Sequence, residues 1–404
     1  MWLDELRLTD FRGFEHLTLD LRRPLTVIIG TNGAGKSSVV DALEIAASHA
    51  TNAALGHVNA LPLRPYDVRR GRDSCSIGLS FGDVELGLRR TVERETERTP
   101  QQLAEEQLPP LVILFKTDRA RLGPPPPPRS LGVTNWARAS VRSPNPAWDD
   151  GFGGSFTSFE HAEQWFRDRE DLENQERVRS KRLDHVDPGL SAVRRAIEAI
   201  VPGYSDPHID RSLPPGSGIS QLVLTKDDRE LTADMLSDGE RSLLVLAMTI
   251  ARRLSLLGDE AGSQEHSAVV VIDEVELHLH PRWQRQVLPA LLRTFPSCQF
   301  IVTTHSPQVI GSVPRSSLVV LEDFRIHSAA APTAGRDSNA ILEEIMDATE
   351  RSEPFAQRLT HIAELLDGDD LEAARTAIDG LAAEWGDDDR EVVGLRTALE
   401  FRRL

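Results

Sequence analysis

The sequence predicts an α/β fold in which a mixed β-sheet feeds a parallel one, with a short inserted helical arm and a C-terminal helical tail. Three observations carry this expectation. The continuous apolar run Leu25–Ile29 passes straight into a glycine-rich turn and then a helical pattern, Ser37–Ala47. Two further apolar runs, Ala268–Asp273 and Gln299–Thr304, are separated by the helix-like Arg282–Thr294, as buried parallel strands joined by a crossover helix would be. Residues 159–200 read as helical and highly charged, and so does the acidic stretch from Ile341 onward.

The remaining elements follow in order. Leu6–Phe11 and His16–Leu21 alternate as half-buried strands do, and Cys75–Val92 reads as a hairpin about Gly82-Asp83. Leu111–Phe115 is a further buried strand. The polyproline stretch Pro124–Pro128 and the Pro/Gly/Ser/Asp-rich residues 143–155 make 120–155 an exposed loop, with a Pro-binding partner as a secondary reading. The arm at 159–200 has no sustained heptads and is too short for a long coiled coil. Ile219–Thr225 forms a strand, and Leu243–Leu257 is a helix apolar almost all round. From Glu353 the tail resolves into three short helices about the breakers Gly368-Asp369 and Gly386-Asp387. These divisions suggest four segments: residues 1–120, 121–218, 219–340 and 341–404.

The formal net charge of −17 is concentrated late, residues 231–404 holding 16 basic and 29 acidic side chains. Such a surface argues against wholesale binding of nucleic acid and leaves room only for a local basic stripe. The two cysteines, Cys75 and Cys298, sit far apart in apolar runs, which points to free thiols in a reducing compartment. No leader-like start or spanning apolar run is present, so a cytoplasmic protein with no membrane partner is expected.

The chemistry concentrates in four places. Gly30-Thr31-Asn32-Gly33-Ala34-Gly35-Lys36-Ser37 fits G-x-x-x-x-G-K-[ST], with the required strand before it and helix after it. Asn32, Gly33, Ala34, Gly35, Lys36, Ser37 and Ser38 are therefore candidate binders of ATP. Lys36 is expected to reach the β- and γ-phosphates, and Ser37 to ligate Mg2+. Arginine fills 42 of the 46 basic positions, so a lysine here signals a need for a compact ammonium. The run Ala268–Ile272 ends in Asp273, a candidate Mg2+ ligand, and Glu274, a candidate general base. Ser237-Asp238-Gly239-Glu240 opens the apolar helix, where Ser237, Gly239 and Glu240 could form a second anion site or simply a helix cap. His305 follows the strand Gln299–Thr304 and could sense a phosphate or merely serve structure. His278 and His280 could start a metal site, but no third ligand is apparent.

Taken together these motifs resemble ABC-type P-loop ATPase heads of the SMC/RecF/OLD-like class. The resemblance implies that Ser237 and Gly239 form a signature sequence contacting ATP held by a second copy. It further implies that Glu276–Pro281 form the D-loop at the dimer seam and that His305 is the switch histidine. The opening Leu8–Glu15 is similar to the N-terminal strand and turn of RecF- and SMC-like proteins, which makes Arg12 a candidate phosphate contact. Val112–Arg119, Phe159–Arg169 with Trp165, Glu276–Pro281, and Gly335–Leu342 with Arg351 resemble a narrower group that includes PtuA of the Septu anti-phage system and retron-associated ATPases. That likeness implies a homodimer or larger assembly of dimers working with a separately encoded HNH-type nuclease. The sequence departs from the group in two ways. Gln101 and Gln102 are poorly placed for a Q-loop glutamine, and Phe115-Lys116 stand where relatives often have paired tyrosines.

The rival reading is a RecF-like DNA-repair ATPase whose basic stripe would draw on Arg69, Arg70, Arg72, Arg89, Arg90 and the Arg177–Arg182 cluster. A transporter engine fits poorly with the N-terminal turn and acidic tail. An integral nuclease lacks its acidic residues, since only Glu322-Asp323 follow Leu318–Leu321.

Overall fold

The computed structural model describes residues 1–56, 60–93, 97–98, 108–117, 119, 146–149, 159–212, 221–258, 266–327 and 353–402. The chain divides into two compact units, Met1–Ser338 and Asn339–Leu404. The polyproline run Pro124–Pro128, Gln101, Gln102 and the segment Gly335–Leu342 with Arg351 lie outside the described residues; within the loop expected over 120–155, Pro146–Asp149 is instead a helical turn with Ala147 buried and its carbonyl held by Arg253.

Unit one carries three sheets. Strands β1 (Glu5–Phe11), β2 (Phe14–Asp20), β4 (Ser74–Phe81), β5 (Val84–Thr91) and β6 (Glu97–Arg98) form an antiparallel sheet in the order β2-β1-β4-β5-β6. The second sheet has the order β14-β13-β3-β12-β11-β7, built from β3 (Leu25–Ile29), β7 (Val112–Phe115), β11 (Val269–Ile272), β12 (Gln299–Thr304), β13 (Leu318–Glu322) and β14 (Arg325–His327). All but β14 run parallel. Strands β3, β7, β11 and β12 are buried along their whole length, which is why they read as unbroken apolar runs rather than alternations. β4, by contrast, buries only Cys75, Ile77, Leu79 and Phe81, one face of an alternating strand.

The helix after the glycine turn, Lys36–Leu55, joins the two sheets. Its Val39, Val40, Leu43 and Ala46 share one core with Leu6, Leu8, Phe11 and Leu79 of the antiparallel sheet and with Ile28, Val271 and Ile301 of the parallel one. Through this packing the glycine turn is fixed between two sheets.

The helical arm comprises Phe159–Ser180 and Pro188–Ile200. The second helix buries Leu190, Val193, Ala196, Ile197 and Ile200, a helical stripe, and Asp187 caps it by accepting from the Leu190 N–H. Buried Glu170 and Glu173 are held by Arg194, and Glu170 also by Arg211.

The structure adds elements to the sequence expectation. β8 (Ser205–Asp210) and β10 (Arg229–Thr232) flank β9 (Gln221–Lys226) in a third, antiparallel sheet, of which the sequence announces only the middle strand, at Ile219–Thr225. Asp227 and Asp228 make the β9–β10 turn with φ 49° and 59°, and Asp323 and Phe324 make the β13–β14 turn with φ 45° and 60°. The helix expected over Arg282–Thr294 is split into a single turn, Pro281–Gln284, and a helix, Val287–Thr294. Both cysteines are free and buried, and burial pushes each thiol up to about 11.

Unit two contains the helices Glu353–Asp367, Leu371–Trp385 and Arg390–Phe401, which end and begin about Gly368-Asp369 and Gly386-Asp387. They enclose a small core of Ile362, Leu366, Ala374, Ile378, Leu381, Val392 and Leu399. Asp370 and Asp389 cap the second and third helices. Among the described residues no helix is long and apolar enough to cross a membrane.

Candidate functional site

Parallel pairing delivers the chemistry to one edge. Because β3, β12, β11 and β7 run the same way, the segments after their carboxyl ends, beginning at Gly30, His305, Asp273 and Lys116, emerge side by side.

The glycine turn depends on backbone shapes that other residues resist. Gly33 and Gly35 have φ of 86° and 104°, and a Cβ on Gly35 would stand 2.6 Å from the Phe14 ring. Lys36, 8% exposed, donates from Nζ to the carbonyls of Gly30 at 2.7 Å and Thr31 at 3.1 Å. Burial lowers its pKa, against the opposing charges of Glu274, Glu276 and Asp273. The ammonium thus lies among three carboxylates with its donors turned to carbonyls that a phosphate oxygen can replace. Ser37 and Asn32 are exposed beside it.

Thr303 ties the acidic strand end to the neighbouring strand. Its hydroxyl donates to Asp273 Oδ1 at 2.5 Å and accepts from the Glu274 N–H at 2.8 Å. Glu274 has φ 48°, a left-handed shape that costs a non-glycine residue about 1–2 kcal/mol. Arg119 holds this turn from the other side. Only 2% exposed, it donates to the carbonyls of Asp273 at 2.8 Å and Glu274 at 2.6 Å, and from Nε to Ser242 Oγ at 2.7 Å. Arg119 therefore couples the acidic turn to the helix Asp238–Ser255. Neither Thr303 nor Arg119 carries a sequence signal for this task, because the partners lie 29–30 and 123–155 residues away along the chain.

Ser237 begins that helix through a capping box. It accepts from the Glu240 N–H at 3.3 Å, and its own N–H and hydroxyl donate to Glu240 Oε2 at 2.9 and 2.8 Å. Glu240 Oε1 receives the Tyr204 hydroxyl at 2.7 Å and the Lys226 ammonium at 3.1 Å. Burial alone would raise the Glu240 carboxyl, but hydrogen bonds from Tyr204, Ser237 and Lys226 outweigh it and bring it down to about 2. The carboxylate is thus satisfied within its own subunit, and it shapes the helix start rather than facing a ligand. Gly239 is required by close approach, since a Cβ there would meet the His278 carbonyl oxygen at 2.5 Å.

His305 stands beside Glu276, which accepts its backbone N–H at 2.7 Å and lies 3.2 Å from Nδ1. Arg12 also has a left-handed φ, 52°, and its guanidinium is committed to Asp41 at 2.7 Å and Asp67 at 2.9 Å. Lys116, just past the carboxyl end of β7, pairs with Glu44 at 2.8 Å and Asp41 at 3.3 Å. Among the described residues no cluster of three or more His, Cys, Asp or Glu forms a metal cage, so His278 and His280 gain no third ligand there.

Comparison with known proteins gives the family. Residues 25–311 match the family described as "AAA domain, putative AbiEii toxin, Type IV TA system", and residues 1–46 match a second described as "AAA domain". The chain belongs to the first of these AAA-domain families. It is an ATPase of the class that its motifs resemble. The AAA-domain chain is 24% identical to the retron Ec83 probable ATPase of Escherichia coli, over 98% of this chain and 86% of that protein. It is 22% identical to the Septu protein PtuA of Bacillus thuringiensis, over 92% and 90% of the two chains. The SMC head domain from Thermotoga maritima superposes with a TM-score of 0.44 at 15% identity, covering 82% of this chain and all of that one.

Proposed function

We propose that this ATPase binds Mg-ATP at the glycine turn, hydrolyses it between two copies of the chain, and uses the cycle to control a partner nuclease in anti-phage defence. The observation that carries the reading is the convergence of Lys36, Asp273, Glu274 and His305 at the carboxyl ends of adjacent parallel strands. The donor set fits the ligand: a buried ammonium and glycine-shaped backbone for phosphates, and a hydroxyl and a carboxylate for a hard divalent cation. Ser37 and Asp273 would hold Mg2+, whose charge offsets that of the phosphates.

In this mechanism Lys36 exchanges its carbonyl contacts for the β- and γ-phosphate oxygens. Glu274 takes a proton from water as the water oxygen bonds to the γ-phosphorus and the bond to the bridging oxygen breaks. Thr303 and Arg119 hold the Glu274 backbone so that its carboxylate needs no search. His305 donates to the transferring group. Ser237, Gly239 and the helix N-terminus supply anion contacts to the nucleotide of the second copy, with Glu240 keeping that helix start rigid. Arg12, already paired with two aspartates, is a phosphate contact only if it leaves one of them.

The two retron and Septu relatives support a role in defence, and the HNH-type nuclease remains the proposed partner. Local pairing of the basic residues supports control of a partner over direct DNA clamping. Arg69 and Arg72 face Asp10 and Glu15, and Arg177 faces Glu173. The test combines two substitutions. Lys36→Ala should abolish nucleotide binding, whereas Glu274→Gln should bind ATP, lose turnover and elute as a stable dimer. Normal hydrolysis by Glu274→Gln refutes the assignment of the base. Tight, salt-dependent binding of duplex DNA by the isolated protein would instead favour the clamp.

A further inference from the structure

The proposed reaction gives His305 a task and leaves Glu276 without one. Glu276 is 5% exposed, and its two oxygens are used unequally. Oε1 accepts the His305 backbone N–H at 2.7 Å and faces His305 Nδ1 at 3.2 Å. Oε2 is buried and has no hydrogen-bond partner among the described residues. Burying a carboxylate with one oxygen unsatisfied is costly, and a glutamine could accept the backbone N–H without burying a charge. What the carboxylate adds concerns the ring. An ionised carboxylate can only accept, so its charge 3.2 Å from Nδ1 favours a ring that carries its proton on that nitrogen. A small turn of the ring would bring Nδ1–H into line with that charged acceptor, and such a contact selects a tautomer and an orientation.

We propose that Glu276 is a positioning residue for ATP hydrolysis, holding the His305 imidazole with Nδ1 protonated so that Nε2 alone is left to meet the transferring phosphate. The proposal rests on the role given to His305 above. Glu276 itself touches neither substrate nor water; it acts through the ring.

The experiment joins a spectroscopic readout to a kinetic cycle on the full chain. Long-range 1H–15N spectra of 15N-histidine-labelled protein report the tautomer of each imidazole, and the His305 signal is identified by its loss in His305→Ala. The wild type should show Nδ1–H at His305, and Glu276→Gln should shift it toward Nε2–H. In steady-state kinetics Glu276→Gln should lower kcat at least tenfold with KM for Mg-ATP within twofold. In the His305→Ala background the same substitution should change kcat less than twofold. Equal losses in both backgrounds, or an unchanged tautomer, overturn the proposal while leaving the nucleotide site standing. Full turnover by His305→Ala overturns the role of His305 itself, and this proposal with it.

Discussion

Replacing Glu240 by Gln tests whether the start of the apolar helix is held by charge as well as by shape. Glutamine preserves the volume and one acceptor of Glu240 but removes the carboxylate that serves Ser237, Tyr204 and Lys226 together. The folded carboxyl titrates at about 2, against an ordinary value of 4.5. A depressed carboxyl contributes stability that is fully present above the unfolded value and is lost as pH falls through the folded one. Two and a half units correspond to about 3 kcal/mol at pH 7, and by pH 3 the same relation leaves only about 1.4 kcal/mol. Urea unfolding of wild type and Glu240→Gln should therefore show a gap that narrows by about 2 kcal/mol between pH 7 and pH 3. Other carboxylates titrate in both proteins and cancel in the difference. A gap of the same size at both pH values would mean that Glu240 acts through shape alone.

Further outcomes follow from single contacts. Arg119→Leu leaves the Asp273 carbonyl without its donor and takes one of two donors from the Glu274 carbonyl, which keeps the Leu277 N–H at 3.0 Å, and should cost about 1–3 kcal/mol in urea unfolding; an unchanged stability would show that the turn finds other partners. Thr303→Val keeps the shape of the strand end but removes the hydroxyl shared by Asp273 and Glu274, so kcat should fall roughly 10- to 100-fold with the fold intact. Wild-type turnover in that variant would remove Thr303 from the site. Gly239→Ala drives a methyl against the His278 carbonyl and should cost about 1–3 kcal/mol, read by thermal unfolding, together with turnover that depends on the helix start. An unshifted melting temperature would contradict the close approach.

The parallel core was legible because its strands are buried on both faces. Leu25–Ile29, Val269–Ile272 and Gln299–Thr304 contain almost nothing but apolar residues and threonine. The helix start was legible for a local reason: Ser237 and Glu240 are three residues apart, the spacing a capping box needs. β8 was not, since only Pro207 and Ile209 of its six residues are buried and its proline argues against a strand. The hairpins at Asp227-Asp228 and Asp323-Phe324 lack the glycine that usually announces such turns. Arg119 and Thr303 escaped because the meaning of each lies in groups far away along the chain. Glu276 could be placed in its segment by resemblance, but its pairing with His305 required the crossover that brings β11 and β12 together.

The turn at Asp323-Phe324 has a mechanical consequence. Phe324 packs edge-on against Phe14, ring centroids 5.3 Å apart, and occupies space that a Cβ on Gly13 or Gly35 would need. The ring is thus wedged between the N-terminal sheet and the glycine turn. A displacement of Gly35 toward these rings presses first on Phe14 and then on Phe324.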